Sequence, residues 1–223
     1  MAPGPDPSFA GLRFVITAGG TREPIDPVRY IGNRSSGKMG NALAAAAMRR
    51  GATVTLVTAA NPPAPRAGLD IVVVETAADM HAAVRAALPG ARVLIMAAAV
   101  ADWRSRDVAA QKLKKGSNTF TLELVPTIDI LGSLRDDAAA AGVLRVGFAA
   151  ETEHVIEHAR AKLAAKQLDL IVVNDVSQSD IGMGADDNEV TVIDSDGGSL
   201  MIARAPKSVV ADEILGVIAS RLP

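Results

Sequence analysis

Short apolar runs alternate with helix-forming segments along the first half of the chain. The predicted strands cover residues 12–17, 53–57, 70–74 and 92–97. The predicted helices cover residues 37–50, ahead of Gly51, and residues 77–88, behind the capping residue Thr76. Unbroken apolar strands between helices are typical of a parallel sheet that is covered on both faces. The pattern therefore predicts an α/β protein with a Rossmann-like layered fold around a mainly parallel central sheet.

Strand and helix signals continue in the second half, after a polar loop over residues 100–117. The further predicted strands cover residues 119–125, 144–148 and 168–173, and the further helices cover residues 152–166 and 207–222. Residues 190–194 and 200–204 flank a glycine-rich turn, which predicts a hairpin. We therefore expect an appended β-hairpin region within a single domain, residues 11–223, behind a flexible leader or linker remnant, residues 1–10.

The bulk composition narrows the classes of function. A length of 223 residues suits one domain, and a net charge of −2 gives no electrostatic reason to expect nucleic acid or an anionic membrane as a partner. The chain has no cysteine, which excludes disulfides, thiolate metal sites and a cysteine nucleophile. It also lacks an apolar run of the roughly 20 residues that span a bilayer, and its start lacks signal-peptide features. We expect a cytoplasmic protein.

The connection between the first strand and the first helix carries most of the candidate chemistry. It covers residues 17–40 and is about twenty residues long, whereas a plain turn takes about two to six. Ligands of open α/β sheets bind at this position, and a helix that starts near Gly37 directs N–H groups and a positive dipole end at an anion. We predict that the segment binds phosphate through Gly19, Gly20, Ser35, Ser36, Gly37 and Lys38.

Two other nucleotide motifs fit this segment less well. Residues 32–38 match the start of a P-loop, G-x-x-x-x-G-K, but Met39 stands where that motif needs Ser or Thr to hold Mg²⁺. A dinucleotide site would need G-x-G-x-x-G after the first strand and an acidic residue after the second, which ends at Thr58 without one. An NAD(P)-dependent oxidoreductase and a non-catalytic nucleotide-binding module remain as alternatives to an enzyme that uses a nucleoside triphosphate.

Three further segments are candidates for the same site. Small residues over 97–102 would let a ligand approach backbone amides, and Asp102 is suited to a ribose hydroxyl, to a metal or simply to capping a turn. Phe148 likewise follows a strand, although a buried phenylalanine more often belongs to the core. The lysine-rich loop over residues 111–115 either closes over a triphosphate or forms a solvated surface.

Five segments in this order resemble one known family. They are TAGGTREPIDPVRYIGNRSSGKMG, AAAVADW, QKLKK, VGFAAET and LDLIVVNDVS. They are similar to the bacterial phosphopantothenate–cysteine ligases of coenzyme A biosynthesis, and the resemblance covers residues 11–221. It implies a Rossmann-like homodimer that uses CTP and Mg²⁺ to join 4′-phosphopantothenate to L-cysteine. In that reaction the carboxylate attacks the α-phosphate, pyrophosphate leaves, and the cysteine amine displaces CMP from the acyl-cytidylate.

The resemblance also implies roles for single residues. Asn33 would act on the acyl-cytidylate, Arg29 would lie near the phosphorylated substrate, and Lys112 would be the first lysine of a flexible segment. The implied nucleotide-binding residues are Met96, Ala97, Ala98, Asp102, Lys112, Ile128, Asp129, Ile130, Leu131, Phe148, Lys162 and Lys166. Thr127 and Ile128 stand where the family often has Asn-Pro. The metal ligands stay unassigned. Many family members are fused to a flavin-dependent decarboxylase, which is therefore an expected partner.

Overall fold

The secondary structure follows the predicted order closely. The structure is a computed structural model that describes residues 8–116, 119–151, 153–175 and 184–222. Its strands are β1 (Arg13–Ala18), β2 (Arg22–Pro24), β3 (Tyr30–Gly32), β4 (Thr53–Thr58), β5 (Leu69–Val73), β6 (Val93–Met96), β7 (Trp103–Ser105), β8 (Leu124–Pro126), β9 (Leu144–Glu151), β10 (Leu170–Asp175), β11 (Asp187–Asp194) and β12 (Ser199–Pro206). Its helices are α1 (Lys38–Arg49), α2 (Ala77–Ala87), α3 (Ile130–Ser133), α4 (Val155–Ala165) and α5 (Lys207–Ala219), with a 3₁₀ turn at Ala138–Ala140.

Eight of these strands form one sheet, in the order β12-β11-β10-β9-β6-β1-β4-β5. The pairs from β10 through to β5 are parallel, whereas β11 pairs antiparallel with both β10 and β12. The mainly parallel central sheet is thus confirmed. Within the described residues, no helix combines the length and the apolar character that a membrane crossing requires.

Two apolar layers cover the two faces of the sheet. Alternation along β1 sends Phe14 and Ile16 into the layer under α1 and α5, and Val15 into the layer under α2 and α4. Small residues of α1, such as Ala44 and Ala47, are buried in the first layer. Burial of a Val, Leu or Ile side chain contributes about 1.5–3 kcal/mol, so these layers hold the strand ends in fixed positions. The loops that follow the strands are positioned by this packing.

The predicted hairpin is present, and it continues the central sheet. β11 pairs with β10 in a register that places Leu170 opposite Asp194 and Val172 opposite Val192. The predicted strand over residues 70–74, expected under cover on both faces, is instead the edge strand β5, and Val73 is 64% exposed. An edge strand has only one neighbour and less cover, which the apolar pattern alone does not reveal.

The predicted leader, residues 1–10, includes a residue that belongs to the folded domain. Phe9 is fully buried in the core and its ring lies 4.7 Å from the Phe14 ring, centroid to centroid. The backbone N–H of Phe9 also donates to the carbonyl of Arg50, 2.8 Å away. Phe9 therefore belongs to the folded domain, because burying an aromatic ring outweighs the Pro-rich character of the residues before it. Residues 1–7 lie outside the described part of the chain.

Two small antiparallel sheets stand beside the central one. β2 pairs with β3 inside the long connection after β1, and β7 pairs with β8 in the polar region after β6. β7 contacts both β2 and β3, so the two small sheets pack together. The strand predicted over residues 119–125 is much shorter, since β8 begins only at Leu124. The long connection predicted as a binding loop is therefore partly a folded hairpin.

Candidate functional site

A cleft of about 700 Å³ opens at the carboxyl ends of β6 and β9. Carboxyl ends of parallel strands lie at one edge of a sheet, so loops that are distant in sequence meet there. The cleft is lined by Asn33, Met96, residues 98–103, residues 126–131, residues 148–150, Lys162 and Lys166. These include every residue that the resemblance implies for the nucleotide, except Ala97 and Lys112. The structure thus brings most of that set into one cavity, together with Asn33.

The loop after β6 forms one wall of the cleft. Its backbone amides are used inside the protein: Ala98 N–H donates to Thr17 Oγ1, 3.0 Å away, and Ala101 N–H donates to Thr21 Oγ1, 2.9 Å away. The N–H of Ala99 donates to the Gly19 carbonyl, 2.8 Å away. The expectation that a ligand would approach these amides is therefore wrong for these three residues, because they hold the β6 loop against the β1 loop.

Asn33 enters the cleft directly after β3. Its Nδ2 donates to the Val100 carbonyl, 3.0 Å away, which uses one of the two amide hydrogens. Two glycines allow this close approach: a Cβ at Gly20 would lie 2.5 Å from the Asn33 carbonyl oxygen, and one at Gly32 would lie 2.5 Å from that of Thr21. The second amide hydrogen of Asn33 remains for a ligand oxygen.

The opposite wall carries the cationic groups. Lys166 Nζ lies 2.9 Å from Asp129 Oδ1, and the same carboxylate caps α3 by accepting from Gly132 N–H. Lys162 lies one helical turn before Lys166 and lines the same wall. The two residues after Asp129 have buried side chains, so they present their backbone to the cleft. The wall therefore carries two lysines, of which Lys166 is already paired with Asp129, and an anionic ligand would compete with that carboxylate for the Lys166 amine.

A second, smaller cavity of about 140 Å³ adjoins the cleft, and we call it the serine pocket. It is lined by residues 35–39, residues 97–99, residues 148–150, Asn174, Gly184, Asn188 and Lys207. Phe148, which is half-buried, lines both cavities. The predicted phosphate-binding residues Ser35, Ser36, Gly37 and Lys38 are thus separated from most of the predicted nucleotide residues. Ala97 lies with them in this pocket.

Lys38 is neutralised in the serine pocket. Its Nζ lies 2.6 Å from Asp186 Oδ1 and 3.1 Å from the Gly184 carbonyl oxygen. The hydrogen bond from Lys38 is the main reason that the pKa of Asp186 lies below its ordinary value. A phosphate that bound Lys38 would therefore have to share this amine with Asp186.

Lys207 and Asn174 are among the residues of the serine pocket that the sequence prediction missed. Lys207 is only 8% exposed, and burial lowers the pKa of its amine. It is the first residue of α5, where the helix dipole disfavours a cation, and this conflict was the available sequence signal. Asn174 Nδ2 donates to Asn188 Oδ1, 2.7 Å away, while Asn174 Oδ1 is buried without a partner among the residues described.

The two glycines predicted to bind phosphate after β1 have another role. Gly19 and Gly20 are buried, and they line neither the cleft nor the serine pocket. A Cβ at Gly19 would lie 2.6 Å from the backbone nitrogen of Ala60. These glycines let neighbouring backbone segments pack closely, and their binding of phosphate stays a prediction.

Arg29 and Lys112 also lie outside both cavities. Arg29 binds the buried carboxylate of Asp26 and donates to the Leu113 carbonyl, 2.7 Å away. The hydrogen bond from Arg29 is the main reason that the pKa of Asp26 lies far below its ordinary value. Lys112 is exposed on the loop next to Leu113. The Arg29–Leu113 contact places Lys112 on the loop beside Arg29, and neither residue lines the cleft in the structure of the single chain.

No group of three or more His, Cys, Asp or Glu side chains suited to a metal ion occurs in the ranges that the structure describes. The cleft does contain the exposed carboxylate of Asp102 and the carboxylate of Asp129, which Lys166 already engages. Magnesium commonly binds to one or two carboxylates and to substrate phosphates. This donor set suits a metal that arrives with a nucleotide better than a metal held by protein alone.

Comparison with known proteins assigns the family. Residues 9–222 match the family described as DNA/pantothenate metabolism flavoprotein C-terminal domain. The chain belongs to this family. The match covers the central sheet, both small sheets and the two cavities, so the site described above lies entirely inside the family domain.

Curated bacterial proteins are similar in sequence to most of this chain. The coenzyme A biosynthesis bifunctional protein CoaBC of Bacillus subtilis (strain 168) is 44% identical over 211 residues, which is 94% of this chain and 52% of that protein. The Escherichia coli (strain K12) protein of the same name is 46% identical over 85% of this chain and 47% of its own length. The chain thus spans about half the length of these curated relatives.

A solved structure supports the fold. The crystal structure of the C-terminal domain of coenzyme A biosynthesis bifunctional protein CoaBC superposes with a TM-score of 0.79 and 40% sequence identity. The superposition covers 96% of this chain and 97% of the other. The Rossmann-like layered arrangement inferred from the apolar pattern is therefore shared with a crystallographically determined relative.

Proposed function

We propose that this domain ligates 4′-phosphopantothenate to L-cysteine at the expense of CTP, through an acyl-cytidylate. The observation that carries the proposal is the meeting of Asn33 with Lys162 and Lys166 in one cleft, beside a second cavity at the start of α1. Membership of the pantothenate metabolism family supports the same reaction. Relatives that carry the name of a coenzyme A biosynthesis protein support it further.

The larger cleft is the proposed nucleotide site. Its volume of about 700 Å³ is within the range of ligand pockets, and its lysine wall suits a triphosphate. Lys162 and Lys166 would compensate phosphate charge, while the carboxylate of Asp102 is exposed for a ribose hydroxyl. The choice of CTP follows from the family resemblance. Comparing pyrophosphate release with each of the four nucleoside triphosphates tests it.

The serine pocket is the proposed site for the phosphate of phosphopantothenate. The start of α1 presents backbone N–H groups near Ser35 and Ser36, and Lys38 lies beside them. The partnerless Oδ1 of Asn174 is suited to accept a hydrogen bond from an amide or hydroxyl of the pantothenate chain. Because the pocket adjoins the cleft, the substrate carboxylate would reach the nucleotide past Phe148.

The chemistry then needs positioning and charge compensation. A carboxylate oxygen of the pantothenate forms a bond to the α-phosphorus as the bond to pyrophosphate breaks. The cysteine amine next attacks the acyl carbon, CMP leaves with the electrons of the acyl–oxygen bond, and the amine loses a proton. The second N–H of Asn33 would donate to the oxygen that gains negative charge on the acyl group.

Mg²⁺ is the proposed metal, and the residues present fit it. The exposed carboxylate of Asp102, with Asp129 nearby, would complement oxygens supplied by the triphosphate. Bound Mg²⁺ would neutralise charge on the phosphates and so ease departure of pyrophosphate. Chelation of Mg²⁺ is therefore expected to stop turnover and leave the fold intact.

A homodimer is the proposed assembly. Six apolar side chains of the small sheets and their flanks are each more than a third exposed: Val28, Tyr30, Trp103, Val108, Phe120 and Leu124. Since the two small sheets pack together, these side chains support an interaction surface around them. The bifunctional name of the relatives also supports a second catalytic unit alongside this one, which we propose to be the flavin-dependent decarboxylase.

One incubation tests the proposed activity. The protein is mixed with CTP, Mg²⁺, 4′-phosphopantothenate and L-cysteine, and the products are identified by mass. We expect phosphopantothenoylcysteine, CMP and pyrophosphate in equal amounts. Binding of nucleotide without turnover would indicate the non-catalytic module instead. A change in nicotinamide absorbance with a hydroxy or carbonyl substrate would indicate the oxidoreductase.

A further inference from the structure

The turn between β2 and β3 contains a fully buried carboxylate, that of Asp26. Its Oδ1 accepts from the backbone N–H groups of Val28 and Arg29, each 2.8 Å away. Its Oδ2 accepts from the Arg29 side chain, with Nε 2.9 Å away, and from the Leu113 backbone N–H, 3.1 Å away. One oxygen thus shapes the turn, and the other reaches a loop that is 87 positions further along the chain.

The lysine-rich loop is tied to this turn at its backbone. Leu113 is held at both polar atoms, because its N–H donates to Asp26 and its carbonyl accepts from Arg29, 2.7 Å away. A third bond, from Ala109 N–H to the Ile25 carbonyl, 3.0 Å long, joins the start of the same loop to the same turn. These bonds fix the main chain beside Lys112 and leave its side chain exposed.

The same hairpin leads into the cleft. β3 follows Arg29 directly, and Asn33 follows β3 and donates to Val100 in the cleft wall. A rise of about 3.3 Å per residue puts the Asp26 turn roughly 13 Å from Asn33 along the strand. One short β-hairpin therefore carries the cleft residue at one end and the attachment of the lysine loop at the other.

We propose that Asp26 is a positioning residue, which fixes the lysine loop to the β2–β3 hairpin and so holds Lys112 within reach of the nucleotide. This role rests on the proposed function, in which Lys112 assists pyrophosphate release. Asp26 acts through Leu113 and Arg29 and touches no substrate. Without its Oδ2, the backbone beside Lys112 explores many conformations, and few of them place the amine at the triphosphate.

Asp26→Asn is the sharpest variant for this proposal. Asparagine keeps a carbonyl oxygen for the two turn amides but replaces Oδ2 by an NH₂ group, which cannot accept from Arg29 or Leu113. Leu113→Pro is the second variant, because it removes the N–H on the loop side and leaves the hairpin untouched. Asp137→Asn is the matched control, since Asp137 also accepts from a backbone amide and an arginine but lies at the other edge of the sheet.

Limited trypsin digestion tests the attachment without any reference to catalysis. Trypsin cuts after Lys112, Lys114 and Lys115, and cutting requires local release of the loop. We expect Asp26→Asn to speed cleavage after all three lysines about tenfold, as loss of a charged hydrogen bond implies. For Leu113→Pro the same increase is expected only after Lys114 and Lys115, because trypsin does not cut a lysyl–prolyl bond, which this change creates after Lys112. We expect no change in Asp137→Asn. Unchanged cleavage in both loop variants would overturn the proposal, whatever reaction the protein catalyses.

A double-mutant cycle tests the link to Lys112. Single-turnover release of pyrophosphate from CTP is measured in the full chain for Asp26→Asn, Lys112→Ala and the double variant. We expect each single change to slow release by about tenfold or more, with CTP affinity unchanged, and the double variant to be no slower than Lys112→Ala. Multiplied effects in the double variant would overturn the proposal, because Asp26 would then act independently. Normal release in Lys112→Ala alone would contradict the proposed function of that lysine, and the digestion result would still judge the attachment.

Discussion

The central sheet has one cavity at the carboxyl ends of its strands, called the carboxyl edge, and another at their amino ends, called the amino edge. The two cavities are of similar size but differ in construction. The cleft at the carboxyl edge measures about 700 Å³, and a cavity at the amino edge, lined by residues including Arg92, Arg135 and Arg145, measures about 570 Å³. At the amino edge the arginines serve the fold: Arg92 donates to the Gly142 carbonyl and Arg145 donates to that of Gln167. Size and basic charge therefore do not identify the site. Position relative to the strand ends does, because helix starts and long loops occur at the carboxyl edge.

The largest expected difference between the two edges concerns Asn33. Asn33→Ala should slow ligation by about 10²–10³-fold, as loss of one preorganised donor to a developing oxyanion does, and should leave CTP binding unchanged. Arg135→Ala is the matched change at the amino edge, where Arg135 pairs with the exposed Asp136, and it should leave both quantities unaltered. Product mass and calorimetric CTP titration measure the two effects. Equal rates for wild type and Asn33→Ala would remove the distinction between the edges.

A smaller effect is expected at the serine pocket. Lys38→Ala should raise KM for 4′-phosphopantothenate about tenfold, because a charge-assisted hydrogen bond to the phosphate is lost. Unphosphorylated pantothenate provides the control, and its weak turnover should change little in the same variant. Initial rates over a range of each substrate give both values. If Lys38→Ala affects the two substrates equally, Lys38 serves only its ion pair with Asp186.

The smallest effect is expected at the amino edge and concerns stability alone. The hydrogen bond from Ala139 N–H, and then the one from Arg85, lowers the pKa of Asp137 in the folded protein. Because its folded-state pKa lies below the unfolded value of about 4, the ionised group stabilises the fold above that pH, and the contribution is lost as the pH falls through the folded pKa. Asp137→Asn should therefore be less stable than wild type at pH 7, and the difference should shrink below about pH 4. Urea unfolding at several pH values measures it. A difference that is constant with pH would contradict this origin.

Much of the fold could be predicted because burial leaves a local pattern. Residues 53–57 are rich in β-branched residues and residues 93–97 are all apolar, and the two segments match the inner parallel strands β4 and β6 to within one residue. The cap at Thr76 was also predictable, and its capping box with Asp79 starts α2. The same rules misplace Val73, since an edge strand and an inner strand show the same apolar pattern, and they misplace Phe9, since the residues before it are Pro-rich. Relative position in the sheet is not encoded in a short run of residues.

Which residues belong to the site was easier to predict than how those residues are arranged. Residues from separate loops, such as Asn33, Asp102 and Lys166, do meet in one cleft, as expected for strand ends at one edge. The division between the cleft and the serine pocket was not predictable, and neither was the burial of Lys207. Those features depend on how closely loops that are distant in sequence approach each other.

The sequence alone determined the order of the central strands and the long helices, the parallel sheet and the loops that carry polar groups, because hydrophobic periodicity and capping act between residues close in the chain. Only the tertiary structure decided which of those groups share a cavity and which are consumed by the fold. Gly19 became a packing position, and Asp26 joined two distant loops. A buried hydrogen bond forms only when the whole core brings its donor and acceptor within about 3 Å, and that condition is set by the complete packed chain.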